Sequence, residues 1–378
     1  MDRTAKPRFP AISAGFVCLD IFPGLAHIDG NEFDRNFIPG RAVEIDATTF
    51  ATGGSVSNTG MALVKLGIET QLIGRIGKDP YGEILQQIYR QRGKNLADDL
   101  HIIPDEATGH TYVIDPNGQE RRFLFHPGSN DHFGLEDVPE ESLDQAGLFH
   151  FGYPSSIKRL SAGDGNDLTA IYLHAKQKGL TTSMDTSMPD PTRFSGQADW
   201  KNIFRKVLPY TDLFLPSFEE ILFMLDRERF ERLNRSGDVI ARAEKPLIRD
   251  LADQLLEMGA GIVMLKLGYR GLYLRTAKID RLNRLGRAAP SNLAAWEDLM
   301  IYQPSYKVSV AGTTGAGDAC IAGLLAAFLR DTSPDDAVKA ANGAGACCCE
   351  KPDAFSGIQS WEQMCDRIDN GWEIVQEI

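Results

Sequence analysis

No apolar run in this 378-residue chain approaches the ~20 residues that a membrane-spanning helix needs; the longest is Ile321 to Leu329. The opening Met1-Asp2-Arg3-Thr4-Ala5-Lys6-Pro7 has no apolar signal segment, so a cytoplasmic protein is expected. Basic runs are also missing. With 40 Lys and Arg against 52 Asp and Glu, a net −12, the chain presents no surface suited to nucleic acid or an anionic membrane. The cysteines Cys18, Cys320, Cys347, Cys348, Cys349 and Cys365 lack any Cys-x-x-Cys spacing, which argues against zinc or dithiol chemistry and for buried free thiols. Consecutive side chains at 347–349 point different ways on a helix and do not converge on one metal. Internal repeats and low-complexity tracts are absent too.

What the chain does have is glycine at helix starts. Gly312-Thr313-Thr314-Gly315-Ala316-Gly317-Asp318 opens directly into the apolar segment Ala319 to Phe328. Gly315 and Gly317 have no β-carbon to hold a ligand off the backbone, and the free amides at a helix start, reinforced by the helix dipole, form an anion site. A carboxylate beside such a site repels its ligand unless it has a chemical task, and Asp318 suits a base that accepts the proton of an attacking hydroxyl. The plainer reading is an N-capped helix, with Thr313 or Thr314 as the cap and Asp318 complementing the dipole. On this stretch alone the two readings stand level.

Ala11 to Val17 reads as a buried first strand ending at Cys18-Leu19-Asp20, where a polar residue arrives at a carboxyl end, the place ligands occupy in open α/β sheets. Asp20 is thus a candidate for gripping hydroxyls. Ile21 to Asp46 is an irregular excursion with short extended pieces such as Ala42 to Ile45. Thr52-Gly53-Gly54-Ser55-Val56-Ser57-Asn58 then starts a second helix from glycine, with Asn58 about one turn inside and able to face the same pocket. Strands are expected at Thr70 to Ile73, Leu148 to Phe151, Leu180 to Met184, Leu213 to Leu215 and Gly261 to Leu267. With helices between them, they form a parallel sheet covered on both faces. Thr111 to Ile114 and Arg121 to Phe125 flank Asp115-Pro116-Asn117-Gly118, a hairpin signal, and with the excursion they form a small β-layer over the core. Arg121 and Arg122 are candidates to meet an anionic substrate, although exposed hairpin arginines are commoner.

Pro216-Ser217-Phe218-Glu219-Glu220 brings a carboxylate to a helix start, suited to magnesium or simply to the helix dipole. Gly268-Tyr269-Arg270-Gly271 can line a nucleotide pocket, and Asn342 falls on an apolar helix from about Asp335 to Cys349. Arg227 to Lys245 reads as a solvated connection, and Lys278 to Asp298 as an insertion of open structure.

Together these stretches resemble the ribokinase-like, or PfkB, carbohydrate kinase family. Gly53-Gly54-Ser55-Val56-Ser57-Asn58 resembles its sugar-binding Gly-Gly-x-x-x-Asn, and Thr313 to Asp318 its anion hole and catalytic aspartate. Gly74 to Gly82 and Gly268 to Gly271 are similar to two further family turns, so the likeness runs from about Ala11 to Trp361. It implies a three-layer α/β/α core with a mostly parallel central sheet (residues 11–20, 48–109 and 127–372) and a discontinuous β lid (21–47 and 110–126). It also implies an ATP-dependent phosphotransferase that uses magnesium and acts on a hydroxyl of a sugar or related polyol. Asp318 would be the base, and the backbone at Gly315, Ala316 and Gly317 would hold the γ-phosphate. Asp20, Gly53, Gly54, Asn58 and Asn130 would hold the sugar; Thr313, Gly268, Gly271 and Asn342 would line the nucleotide, with the loop near Ala354 to Gly357; Glu220 would serve magnesium.

The lid often builds a homodimer interface in this family. Two positions depart from its pattern. Ser217 replaces the asparagine of an Asn-x-x-Glu motif, and Gly312 stands where many members carry an aspartate that some use for a monovalent cation such as potassium. The alternatives are a nucleoside kinase on the same fold, which needs a lid presenting aromatic surface (Phe33, Phe37, Phe123, Phe125), and a non-catalytic sugar or nucleotide sensor, which needs no base.

Overall fold

Short, continuously buried strands with helices between them lead to a parallel sheet packed on both faces. The computed structural model describes residues 1–93, 95–235 and 237–375, and among these residues thirteen strands form two sheets. In chain order they are β1 (Ala11–Gly15), β2 (Cys18–Gly24), β3 (Asp46–Gly53), β4 (Thr70–Gly77), β5 (Leu100–Ile103), β6 (His110–Ile114), β7 (Arg122–His126), β8 (Leu148–Gly152), β9 (Thr181–Met184), β10 (Leu213–Phe214), β11 (Ile262–Lys266), β12 (Leu272–Thr276) and β13 (Met300–Gln303). The larger sheet runs β13-β12-β11-β10-β9-β8-β1-β4-β5; β11 through β5 are parallel, and β12 and β13 close one edge antiparallel. The smaller sheet runs β3-β2-β6-β7.

Helices cover both faces of the large sheet. On one side Ser55–Lys65, Ala316–Leu329, Pro334–Cys349 and Trp361–Asp369 pack around Leu213, Met264 and Leu274. On the other, Asn166–Gln177, Trp200–Val207, Phe218–Leu225 and Lys245–Glu257 pack around Phe149, Phe214 and Val263. This is the expected three-layer α/β/α architecture, with the small sheet as a separate β-layer. No helix among the described residues is long and apolar enough to cross a membrane.

The strand pairing adjusts several expectations. The first strand stops at Gly15, and the chain crosses to the second sheet at Cys18; Asp20 therefore lies within β2 rather than at a core strand's end. Likewise, residues 48–53 pair in the second sheet as part of β3, where the expected division put them in the core. Pro23, Gly24 and the acid at position 20 obscure the period-two signal of β2, and pairing overrides it. Ala42 to Ile45 is not a strand. In the charged segment after Asp226, Arg227–Asn234 is a helix that buries none of its residues, and Ser236 lies outside the described residues. The insertion at 278–298 is anchored rather than decorative, because it buries Arg281, Leu282 and Trp296.

That anchor is electrostatic. Buried Asp212 accepts hydrogen bonds from Lys176 Nζ (2.6 Å), the Thr182 amide (3.0 Å) and Arg281 Nη1 (3.1 Å). Removing one member of a buried pair leaves an uncompensated charge. Asp212→Ala is expected to cost about 3 kcal/mol of stability, read from urea unfolding.

Candidate active site

Two glycine-capped helix starts meet at the carboxyl edge of the large sheet. Gly54 caps Ser55–Lys65 with φ +82°, and a β-carbon there would lie 2.5 Å from the Phe16 carbonyl oxygen. Gly315 caps Ala316–Leu329 with φ +73°, and its β-carbon would strike Ala354 at 2.4 Å. Both sites require glycine. No threonine caps the second helix; Thr313 and Thr314 are exposed on the loop before it. The Ala316 amide is turned to the Thr313 carbonyl (3.2 Å), whereas the amides of Gly315, Gly317 and Asp318 have no acceptor among the described residues. Open amides in a first helical turn suit an anion.

Asp318 is buried beneath them at 3% exposure. Its Oδ2 accepts from Asn58 Nδ2 (3.1 Å) and the Tyr153 hydroxyl (2.8 Å), and its Oδ1 from the Thr59 hydroxyl (3.1 Å). Burial pushes the Asp318 pKa above the ordinary aspartate value, against the pull of Tyr153, Lys266, Asn58 and Thr59. Asn58 Oδ1 is buried with no partner, an acceptor waiting for a hydroxyl. Tyr153 has φ +61°, a left-handed conformation rarely held by an aromatic residue, and this backbone aims its hydroxyl at Asp318.

A buried charge cluster adjoins the aspartate. Lys266, the last residue of β11, donates to Asp185 Oδ1 at 2.7 Å, and Asp185 follows β9. Burial raises the Asp185 and Glu220 pKa values, with Lys266 opposing; three carboxylates share one ammonium, so burial wins. Thr59, Tyr153, Asp185 and Lys266 are additions to the sequence-based set. For Asp185 and Lys266 a signal exists, a charged residue at the end of an apolar strand, the signal that pointed to Asp20.

On the side of the small sheet, Gly53 lets the Asp20 carboxylate close onto the backbone, since a β-carbon at Gly53 would sit 2.4 Å from Asp20 Oδ2. Burial lifts the Asp20 pKa to about 6, with Cys18 and Thr111 opposing. Asn130 stands apart. Its Nδ2 donates to the Val17 and Pro127 carbonyls, and its Oδ1 accepts from the Val17 amide, so it staples the crossing from β1 to β2. The hairpin reaches the loop, where Arg121 donates to the Thr314 hydroxyl (3.0 Å), while Arg122 pairs with Asp34.

Gly268 (φ +55°) and Gly271 (φ +103°) form the turn between β11 and β12, and the Asn342 amide holds the Pro304 carbonyl. Glu220 Oε2 accepts from the Ser217 amide (3.0 Å) and the Thr186 hydroxyl (2.9 Å), which leaves Oε1 free, as is Asp185 Oδ2. No group of three or more His, Cys, Asp or Glu among the described residues forms a metal cage. The donor set fits a magnesium ion that keeps its waters and leans on one or two carboxylates. A β-carbon at Gly312 would lie 3.0 Å from Pro352 Cα, so a side chain there would need Pro352 to give by a few tenths of an ångström.

Central sheet, β-layer and glycine-capped anion turn define a ribokinase-like α/β fold. The ribokinase of Arabidopsis thaliana, solved with ribose and ATP, superposes with a TM-score of 0.66 at 18% identity, over 95% of this chain and 98% of that one. The chain belongs to the pfkB family of carbohydrate kinases, whose profile matches residues 21–361. It is similar to an uncharacterized sugar kinase of Archaeoglobus fulgidus (26% identical over 298 residues, 79% of this chain and 98% of that protein). It is also similar to fructokinase-1 of Oryza sativa subsp. japonica (24% over 363 residues, 92% of this chain and 94% of that one).

Because the folded-state pKa of Asp318 is raised, its ionised form weakens the fold above that pKa, and the weakening is lost as pH falls through it toward the ordinary aspartate value. Asp318→Asn is therefore expected to raise the melting temperature at pH 7.5 by a few degrees, with the gain shrinking as the pH of the melt is lowered toward the ordinary aspartate range.

Proposed function

We propose that the protein transfers the γ-phosphate of ATP to a hydroxyl of a sugar or related polyol, with Asp318 as general base. The observation that carries this reading is a buried carboxylate three residues into a helix whose first amides stand open. An anion binder has no use for that carboxylate; a phosphotransferase does. Asp318 Oδ2 already holds two donors and Oδ1 only one, so the acceptor hydroxyl gives its proton to Oδ1. Attack on phosphorus then proceeds with the γ-phosphate against the amides around Gly315, Ala316 and Gly317. Those of Gly315 and Gly317 are free to donate, and Ala316 shapes the turn.

Asp20 and the unpartnered Asn58 Oδ1 accept sugar hydroxyls, while Gly53 and Gly54 keep the backbone close. Thr313 and the Gly268–Gly271 turn line the nucleotide, and Asn342 shapes that wall through Pro304. Magnesium neutralises phosphate charge when bound, and Glu220, with Asp185, would hold it. The small sheet acts as a lid over the sugar. Phe50, Phe123, Leu124 and Phe125 leave apolar surface exposed on it, which supports a homodimer formed lid to lid. The nucleoside-kinase and sensor alternatives draw no support from relatives named as sugar kinases.

The test is ATP consumption with magnesium against sugars, sugar acids, sugar phosphates and nucleosides. Turnover with a sugar or polyol that falls about 10³-fold in Asp318→Asn supports the reading; no acceptor above background sinks it. Asp20 adds a pH signature. Its carboxylate protonates as pH drops through about 6, removing an acceptor, so KM for the sugar should rise below that pH, and Asp20→Asn should flatten the dependence at a permanently high KM.

A further inference from the structure

Strand β11 is apolar through Ile262–Leu265 and then ends on Lys266, which is buried at 7% exposure. Burying an ammonium is costly unless its donors are satisfied. Lys266 Nζ donates to Asp185 Oδ1 (2.7 Å) and the Leu215 carbonyl (2.8 Å), so the third donor has no acceptor among the described residues. The side chain passes directly under the anion turn: a β-carbon on Gly317 would lie 3.5 Å from Lys266 Cε and 3.8 Å from Nζ. The unspent N–H and the open Gly317 amide therefore belong to the same small space. Neutralising Asp185 does not by itself require a lysine in that space.

We propose that Lys266 is a catalytic residue of the phosphoryl transfer set out above, donating its third N–H to an oxygen of the phosphoryl group in transit. The inference rests on the kinase reading. In that step the acceptor oxygen bonds to phosphorus, the bond from the γ-phosphorus to its bridging oxygen breaks, and the electron pair leaves with ADP. The hydroxyl proton goes to Asp318. Lys266 acts as an ammonium throughout, its charge held against Asp185 Oδ1 at 2.7 Å, and it gives up no proton in the step. The phosphoryl oxygens need positive charge in a pocket already holding three carboxylates, and a fixed ammonium in a water-poor site stabilises them without reorganising.

The experiment compares wild type, Lys266→Met, Asp185→Asn and the double variant. The readouts are kcat, KM, melting temperature, and affinity for ADP with and without aluminium fluoride, a mimic of the phosphoryl group in transit. Lys266→Met should lose about 100-fold in kcat, with KM for the acceptor moving less than about threefold. The double variant, with no charge of the pair left buried, should regain melting temperature yet stay about 100-fold slower than Asp185→Asn. Its fluoride-dependent tightening of ADP should fall by a similar factor. If kcat and fluoride tightening in the double variant match those of Asp185→Asn, Lys266 merely neutralises Asp185 and the proposal is wrong. The fluoride comparison needs no turnover, so if Asp185→Asn is inactive the matter is decided between wild type and Lys266→Met, where unchanged fluoride tightening overturns the proposal. Failure of the kinase reading looks different: the wild type then turns over no acceptor and shows no fluoride effect.

Discussion

A carboxylate held out of water is the constraint around which this molecule is arranged. Asp318 lies in the first turn of a helix, where dipole and open amides favour negative charge, yet it is buried and needs donors of its own. Those donors come from far away in sequence: Asn58 and Thr59 from the other glycine-capped helix, and Tyr153 from the turn after β8. Each supplier bears a local cost. Gly54 and Gly315 give up side chains, and Tyr153 holds a left-handed backbone that costs roughly 1–3 kcal/mol. Strain of this kind persists only where surrounding structure over-determines it, and the fully buried β8 supplies that rigidity.

The sheet order explains why distant residues converge. β8, β9, β10 and β11 are consecutive parallel neighbours, so their carboxyl ends share one edge. Tyr153, Asp185, Ser217 and Lys266 each follow or end one of these strands, and all four belong to the network around Asp318 and Glu220. Parallel topology thus turns sequence separations of about thirty residues or more into contact, as expected where ligands bind beyond strand ends.

This also marks what was legible beforehand. The two glycine motifs announced themselves because their constraint is local, a positive φ beside a helix start; Asn58 and Asp318 were singled out beside them, but spacing alone did not separate a site residue from an exposed amide or a dipole-complementing acid. The alternation of buried strands and helices likewise revealed the core. Lys266 did not stand out, because one charge inside Ile262 to Leu267 leaves the apolar strand signal intact; its place at the strand's end was the available signal, and its depth and partners give that place its meaning. Asn130 misled in the opposite way, since an amide after a hairpin suits a ligand as well as a staple, and only the bonds to Val17 and Pro127 decide. The second sheet was legible only in part: β7 is exposed throughout yet its hairpin turn marked it, whereas most of β3 is exposed with no turn signal of that kind, so no apolar alternation announced it.

That exposed sheet has an energetic consequence. Leu19 and Ile21 of β2 pack with Val56 and Met61 of the first glycine-capped helix and with Leu72 and Ile76 of β4, whereas Leu25, Ile28 and Phe33 form a small separate cluster beyond the strand. Elements with few buried contacts open at low free energy, so the exposed strands β3 and β7 open more readily than the strands of the central sheet. Asp20 on β2 and Thr111 on β6 are neighbours in that sheet, whereas Asp318 is rooted in the core. On the proposed reading, the residue that recognises hydroxyls, Asp20, sits in the small sheet, and the residue that deprotonates one, Asp318, in the core. Arg121, reaching from the hairpin to Thr314 on the anion loop, is a direct bond between them. In the proposed reaction this contact would keep hairpin and loop together over the site, where Asp318, Lys266 and the open amides would act more strongly with less water around them.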